Sequence, residues 1–242
     1  MPLHFALDDH VATVTTIDRP ERRNALNLES LEELHTHVRE SVSQGARALI
    51  VTGAAGHFCA GADLTELEDV SFTRRLAQVL DHLATVPITT VAAISGSCMG
   101  LGMQLAVACD LRVVADDARF AVPVAKLGLM VDAWTMDRVA RFWGEGAARA
   151  MVLAARVLDA DDAWRLGFTQ QRGTLDDARA LARSTVGLAP LSQAGSKIGF
   201  DLGWHGDRAA FDEAFLRAWS SSDLAEGQRA FTERRTPRFQ GA

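Results

Sequence analysis

Short, largely apolar runs alternate with helical repeats along the first half of the chain. The runs have the length of buried strands and lie at residues 48–51, 88–94 and 111–115. Residues 10–17 alternate between polar and apolar as a strand does, whereas residues 28–43 and 72–83 carry apolar side chains at the spacing of a helix face. This pattern predicts stacked β–α units around a largely parallel sheet, followed beyond residue 120 by a mostly helical region.

Composition narrows the class of protein. Of the 242 residues, 48% are hydrophobic and 23% are charged, which is ordinary for a folded globular chain and excludes a disordered one. A net charge of −6 without a basic stripe argues against nucleic-acid binding, and no apolar run reaches the ~20 residues that span a bilayer. The N-terminus lacks the pattern of a secretory signal, and three cysteines without a C-x-x-C pair favour the reducing cytoplasm.

A glycine-rich turn within residues 95–110 carries the strongest chemical signal. Gly100 and Gly102 bracket a turn between a predicted strand and a short apolar run, residues 103–109, that favours a helix. The free N–H groups and the dipole at such a helix start attract negative charge and can polarise a carbonyl group. Gln104 lies one turn into this helix and would face the bound group, although an amide cannot exchange protons. Taken alone, the glycines are more typical of tight turns in an α/β fold.

A second segment, residues 58–64, strengthens the chemical interpretation. Gly61 permits a backbone turn that most residues resist, and Asp63 suits the N-cap of a following helix. The N–H group of Ala62 would then be exposed beside a helix start. Two N–H groups from separate loops are what an oxyanion hole requires.

These segments resemble the enoyl-CoA hydratase/isomerase (crotonase) superfamily, and the resemblance covers essentially the whole chain. The matching motifs lie, in family order, at residues 18–26, 58–64, 92–110, 120–128 and 239–242. The resemblance implies an α/β fold in which a crotonase-like spiral of ββα units, residues 1–190, precedes a C-terminal helical trimerisation region, residues 191–242. It also implies that Ala62 and Leu101 supply the N–H groups of the oxyanion hole.

The ligand is likewise implied by the resemblance. The family binds acyl-CoA or enoyl-CoA thioesters without a further cofactor or a metal ion, and it assembles as homotrimers or dimers of trimers. Coenzyme A is anionic, so Arg22 and Arg23 are candidate contacts, with Ala60 and Asp63 assigned to the same site. The C-terminal cluster of Arg234, Arg235 and Arg238 is a further candidate. The alternative for each of these arginines is an exposed, solvated side chain.

Departures from the family pattern decide the predicted activity. Family hydratases hold one water between two glutamates, whose matched positions here carry Gln104 and Val124. Loss of one general acid–base group costs ~10²–10⁴-fold in rate. We therefore expect an acyl-CoA-binding protein of fatty-acid metabolism, an enoyl-CoA hydratase by family, with little or no hydratase activity. One alternative is an active hydratase or isomerase that uses Asp132. The other is a purely structural subunit, which would have no reason to keep the glycine pattern of the two loops.

Asp132 has two interpretations that the sequence leaves open. The family's dienoyl-CoA isomerases and chlorobenzoyl-CoA dehalogenases carry a working aspartate in this region, and a carboxylate beside Met130, Val131 and Trp134 could act as a base. It could equally cap a helix that starts near Ala133, and the cap is favoured. Trp134 is likewise either core or a wall of the acyl pocket.

The remaining reactive side chains are predicted to be structural. Cys59, Cys98 and Cys109 lie in apolar runs without a nearby activating base, which predicts packing rather than a nucleophile. His57 precedes Phe58 as a structural loop histidine, and Lys126 is expected on the surface near the pocket mouth.

Overall fold

The computed structural model describes residues 3–8, 11–16, 18–65, 70–202 and 207–242. The strands of these residues are β1 His4–Asp8, β2 Val11–Thr16, β3 Ala48–Gly53, β4 Thr89–Ile94, β5 Ser97–Met99, β6 Leu111–Val114, β7 Arg119–Ala121, β8 Leu158–Asp159 and β9 Gln171–Arg172. The helices are α1 Leu28–Ser43, α2 Val70–Thr85, α3 Leu101–Ala108, α4 Ala133–Trp143, α5 Glu145–Leu153, α6 Ala160–Arg165, α7 Leu175–Val186, α8 Pro190–Asp201, α9 Arg208–Trp219 and α10 Ser222–Glu233. Short 3₁₀ turns lie at Pro20–Arg22 and Val124–Leu127.

Two sheets organise the chain. The larger has the strand order β1-β2-β3-β4-β6-β9 and is parallel except for the β1–β2 pair, so that Val51 of β3 pairs with Val14 on one side and Ala92 on the other. The smaller sheet has the order β5-β7-β8. Along the chain, its strand β5 follows β4 of the larger sheet, and its strand β7 follows β6. This arrangement confirms the predicted stacking of ββα units around a largely parallel sheet.

Strand β3 shows why its apolar run is unbroken. Leu49 and Val51 face the main core, whereas Ala48 and Ile50 face a second cluster that includes Ala178 and Ala182 of α7. A parallel strand buried on both faces needs apolar side chains at every position. Packing on both faces therefore holds β3 in place, and the loop that carries residues 58–64 follows directly after it.

Buried Arg112, at the start of β6, secures the far end of α3. Its Nη1 donates to the carbonyl of Cys109 at 2.9 Å and its Nε to that of Phe168 at 2.7 Å. The guanidinium carbon lies 4.3 Å from the ring centre of Phe142. Burial lowers the pKa of Arg112 to about 10, which still leaves it charged at neutral pH. A cation at the C-terminal end of α3 complements the helix dipole and fixes the helix in place.

The C-terminal part is helical, as predicted, with α8, α9 and α10 following residue 189. The boundary at residue 190 and the role of these helices in trimers stay predictions. None of the helices in the described ranges combines the length and apolarity that crossing a bilayer requires.

Candidate functional site

Two loops are joined side by side at the centre of the molecule. The N–H of Cys59 donates to the carbonyl of Ser97 at 2.9 Å, and the N–H of Met99 donates back to the carbonyl of Cys59 at 3.0 Å. This short parallel ladder fixes the register of the loops and brings residues 61–62 beside residues 100–101. A Cβ placed on Gly100 would lie 3.9 Å from the Cα of Gly61, so the two glycine turns are neighbours.

Two glycines are required at this junction, one by its backbone conformation and one by close approach. Gly61 has a φ of +128°, in the region that side-chain-bearing residues rarely adopt. A methyl group on Gly102 would lie 2.2 Å from the carbonyl oxygen of Cys59. The second residue of α3 therefore needs hydrogen in place of a side chain so that the helix can pack directly on the neighbouring loop.

The N–H groups of Ala62 and Leu101 are both available at this junction. Leu26 donates to the carbonyl of Gly61 at 2.9 Å and accepts from the N–H of Asp63 at 2.8 Å, so the intervening Ala62 directs its own N–H away from Leu26. Leu101 begins α3, where the N–H groups have no intrahelical partner. Among the described residues, no backbone carbonyl accepts either N–H.

Both residues line one cavity of about 390 Å³. Its walls are mostly apolar and come from the two loops, from α2 and from the segment before α4. The described residues that line it include Ala60, Ala62, Leu64, Phe72, Leu76, Met99, Leu101, Gln104, Val124, Leu127, Leu129, Met130, Val131 and Asp132. Met130 is 84% exposed and marks the mouth of the cavity. The geometry suits a thioester whose carbonyl oxygen accepts from the two N–H groups while its apolar chain follows the walls.

Gln104 is buried and held in place. Its Nε2 donates to Oγ1 of Thr135 at 2.8 Å, and Thr135 is fully buried in the first turn of α4. The sequence singled out Gln104 but not Thr135, whose only signal was its position three residues after Asp132, the spacing of a helix cap. The pair joins α3 to α4 beside the cavity, whose lining includes Gln104.

Val124 stands at the second position where family hydratases carry a glutamate. It begins the 3₁₀ turn after Pro123, and its side chain presents only carbon atoms to the cavity. Asp132 caps α4, as favoured from the sequence: its Oδ1 accepts from the N–H of Thr135 at 2.9 Å. It also borders the cavity, and it is the one carboxylate among the described lining residues.

Asp63 takes part in a turn and an ion pair. Its Oδ1 accepts from the N–H of Thr65 at 3.2 Å and from the Thr65 hydroxyl at 2.6 Å, while its Oδ2 lies 2.9 Å from Nη2 of Arg19. The hydrogen bond from the Thr65 hydroxyl, helped by the nearby Arg19 charge, lowers the pKa of Asp63. Residues 64–65 form a turn, and residues 66–69, where the predicted capped helix would continue, lie outside the described residues.

Several predicted contacts do not reach the cavity within the described residues. Arg22 and Arg23 are exposed in the turn after Pro20 and line no part of the cavity. Trp134 also lies outside its lining and stacks under Arg138, whose guanidinium carbon is 4.6 Å from the ring centre. Its side chain packs against the main core, which favours the core alternative.

The C-terminal arginines form a separate cluster. Arg235 pairs with Glu226 and Glu233, and together with Arg238 it lines a shallow surface pocket that shares no residue with the cavity. Within one chain, the cluster therefore lies outside the cavity that Ala62 and Leu101 line.

The structural assignments made from sequence are confirmed for the thiols and His57. All three cysteines are free and buried, and burial raises the pKa of Cys59 and of Cys109 to about 12. Nδ1 of His57 accepts from the N–H of Ser97 at 3.1 Å, so the imidazole supports the loop junction. Lys126 is exposed next to Leu127, which lines the cavity.

Comparisons with known proteins agree with this geometry. A model of the family described as enoyl-CoA hydratase/isomerase matches residues 8–242. The probable enoyl-CoA hydratase echA6 of Mycobacterium tuberculosis is 42% identical over 233 residues, covering 93% of this chain and 94% of that protein. The human enoyl-CoA hydratase domain-containing protein 2, mitochondrial, is 32% identical, covering 96% of this chain and 87% of that protein.

Solved structures share the fold as well. The structure of a putative enoyl-CoA hydratase from Streptomyces coelicolor A3(2) superposes with a TM-score of 0.90 at 30% identity, covering 99% of this chain and 94% of that chain. A putative enoyl-CoA hydratase/isomerase family protein from Hyphomonas neptunium gives a TM-score of 0.90 at 28% identity, covering 100% and 98%. The fold predicted from the sequence is thereby confirmed.

Proposed function

The chain belongs to the enoyl-CoA hydratase/isomerase (crotonase) family, and on this premise we propose that it binds acyl-CoA or enoyl-CoA thioesters with little or no hydration of them. One observation carries the proposal. The cavity keeps two backbone N–H donors, at Ala62 and Leu101, while the positions matched to the family's two acids hold Gln104 and Val124. No cofactor beyond the thioester itself is invoked.

The binding half of the proposal follows from electrostatics. A thioester oxygen placed between the N–H groups of Ala62 and Leu101 accepts two hydrogen bonds and lies at the positive end of the α3 dipole. Such donors stabilise the oxygen whether the acyl chain is saturated or unsaturated. We therefore expect saturated and unsaturated acyl-CoA esters to bind with similar affinity.

The catalytic half follows from what the acid positions now carry. Hydration needs one group to take a proton from water and another to deliver a proton to the α-carbon. The amide of Gln104 already donates to Thr135 and cannot take a proton, and Val124 has no polar atom. Absence of each group costs ~10²–10⁴-fold in rate, so the two together reduce hydration to a trace.

A second candidate function is isomerisation with Asp132 as the base. It is favoured by one observation, that the Asp132 carboxylate borders the cavity. The cap that this carboxylate forms on α4 weighs against it, because the Oδ1 atom is already engaged. Substitution of Asp132 by asparagine separates the two roles, because the amide still caps the helix but cannot act as a base.

Assembly and compartment are part of the proposal. Phe215, Leu216 and Trp219 on α9 are 49%, 66% and 63% exposed, and burial of such a face supports a homotrimer or a dimer of trimers. Light scattering that gives a stable monomer at micromolar concentration contradicts this. The three free cysteines are compatible with the reducing cytoplasm.

The proposal is tested by a titration followed by an activity assay. Calorimetry with butyryl-CoA and crotonyl-CoA should give similar dissociation constants, and loss of the conjugated thioester absorbance should report very slow hydration. The double variant Gln104→Glu with Val124→Glu should hydrate crotonyl-CoA faster than wild type. Leu127→Glu is the matched control, since it adds a carboxylate to the cavity wall away from the acid positions.

Two outcomes would contradict the proposal. One is no binding of any acyl-CoA up to millimolar concentration. The other is a wild-type hydration rate in the ordinary enzyme range of ~1–10³ s⁻¹, which would mean that other residues supply the acid and base.

A further inference from the structure

We propose that Arg19 is a positioning residue for the thioester site, holding the Ala62 loop and neutralising the buried carboxylate of Asp63 beside it. The inference rests on the function proposed above. Its basis is a buried ion pair outside the cavity, in which Arg19 Nη2 lies 2.9 Å from Asp63 Oδ2.

The Ala62 peptide is fixed from both sides by one segment, residues 19–26. The N–H of Ala60 donates to the carbonyl of Arg23 at 3.0 Å, and Leu26 bonds to both Gly61 and Asp63 at 2.9 and 2.8 Å. The residues before and after Ala62 therefore cannot rotate independently of this segment. The direction of the Ala62 N–H depends on where residues 19–26 lie.

Arg19 is itself rigidly placed. Its N–H donates to Oδ1 of Asn24 at 3.2 Å, and its carbonyl accepts from the N–H groups of Arg22 and Asn24. Asn24 is fully buried and donates through Nδ2 to the carbonyls of Ala54 and His57, at 2.8 and 2.6 Å. The turn that carries the Arg19 guanidinium is thus hydrogen-bonded to the loop that contains Ala62.

Charge gives the pair a role beyond holding the loop. The Asp63 side chain is 3% exposed, that of Arg19 is 11% exposed, and the carboxylate belongs to the residue next to Ala62. Without a partner, this buried negative charge would oppose negative charge on a thioester oxygen bound at the Ala62 N–H. Arg19 cancels that field while Asp63 continues to close the turn onto Thr65.

The test compares two ligands that differ at one atom. Butyryl-CoA has the thioester carbonyl, whereas S-butyl-CoA is a thioether that has no oxygen to place between the N–H groups. Calorimetry on the full chain gives both dissociation constants, and the infrared carbonyl frequency of bound ¹³C-labelled butyryl-CoA reports polarisation directly. The ratio of the two affinities isolates the oxygen-binding interaction from general loss of structure.

Opposite charge changes should move this ratio in opposite directions. Arg19→Gln removes the ion-pair partner of Asp63 and leaves the weaker influence of Arg22, so it should weaken thioester binding about ten-fold, with less than a two-fold effect on the thioether and a smaller carbonyl shift. Asp63→Asn leaves Arg19 with the exposed carboxylate of Glu21, 3.8 Å from its Nε, and keeps an oxygen for Thr65, so it should keep or raise the preference for the thioester. Arg19→Lys should restore most of the wild-type ratio.

The outcomes separate the inference from its premise. If Arg19→Gln weakens both ligands equally, or if both single variants lower the ratio, the pair is only structural and the inference is overturned. If Arg19→Gln does not fold, the other two variants still decide the question. A fall in the affinity ratio of Asp63→Asn, or a large fall in that of Arg19→Lys, overturns the inference. If the wild type binds neither ligand, the proposed function fails and the inference fails with it.

Discussion

Gly102→Ala tests the contact between α3 and the loop that carries Cys59. The added methyl group would lie 2.2 Å from the carbonyl oxygen of Cys59 and 3.0 Å from its carbonyl carbon. Carbon–oxygen contacts ordinarily lie at about 3.3 Å or more, so the helix and the loop must separate by about 1 Å. The obstacle is backbone, which cannot rotate away, and the same carbonyl accepts from the N–H of Met99.

The expected magnitude combines two opposing terms. Overpacking in a close-packed site costs about 1–3 kcal/mol, and this contact lies at the severe end of that range. Alanine in a helix is more stable than glycine by at most about 1 kcal/mol. We expect Gly102→Ala to lower the free energy of unfolding by about 2 kcal/mol and to weaken binding of butyryl-CoA, because Ala62 and Leu101 move apart.

The chain offers a matched control at Gly146. It is the second residue of α5, as Gly102 is of α3, and a methyl group there meets nothing within 4 Å. Gly146→Ala should raise the free energy of unfolding by up to about 1 kcal/mol and leave thioester binding unchanged. Urea unfolding followed by circular dichroism measures both variants. Equal stability of the two variants would refute the close approach of α3 to the Cys59 loop.

Three further predictions follow from the described contacts. Asp132→Asn should leave the free energy of unfolding and thioester binding unchanged, whereas Asp132→Ala should lower the free energy of unfolding by roughly 1 kcal/mol through loss of the helix cap. If the wild type has isomerase activity and a folded Asp132→Asn variant lacks it, Asp132 is instead the base. Burial lowers the pKa of both His35 and His82, so the unfolded chain binds more protons below pH ~6.5. The urea midpoint should therefore be highest above that pH and fall between pH 7 and 5.5, and the fall should shrink in His82→Gln; a rise on acidification contradicts this. Because burial raises the pKa of Cys59 and Cys109 to about 12, the native thiols should resist an aromatic disulfide reagent at pH 8 and react after unfolding in urea, and rapid labelling of native protein would count against their burial.

Local pattern was sufficient for the elements that the sequence predicted well. Residues 28–43 were predicted as a helix, and α1 has those bounds because its apolar positions repeat at helical spacing and Asn27 caps its start, accepting from the N–H of Ser30 at 3.0 Å. Strand β4 begins at Thr89 and β6 ends at Val114, each within a residue of the predicted limit. Such elements are specified by neighbours along the chain.

The sequence indicated the backbone turns of the site and the side chains of Gln104, Val124 and Asp132, but not the contacts that depend on how helices pack. The glycine pattern indicated an exposed Ala62 N–H, because a positive φ has a direct sequence signal, and the family resemblance added the N–H of Leu101. Thr135 could not be found, since its contact with Gln104 depends on how α4 packs across α3. The same packing turns Trp134 away from the cavity, and a sequence places a helical side chain on a face without saying what that face meets.

The most direct test of the central claim is one measurement of turnover at known occupancy. Wild-type protein saturated with crotonyl-CoA, with occupancy established by calorimetry, is followed for loss of the conjugated thioester absorbance. Retained N–H donors with neither acid in place predict full occupancy and a rate far below the ordinary ~1–10³ s⁻¹. Full occupancy with a rate inside that range, or no occupancy at millimolar crotonyl-CoA, would contradict the claim.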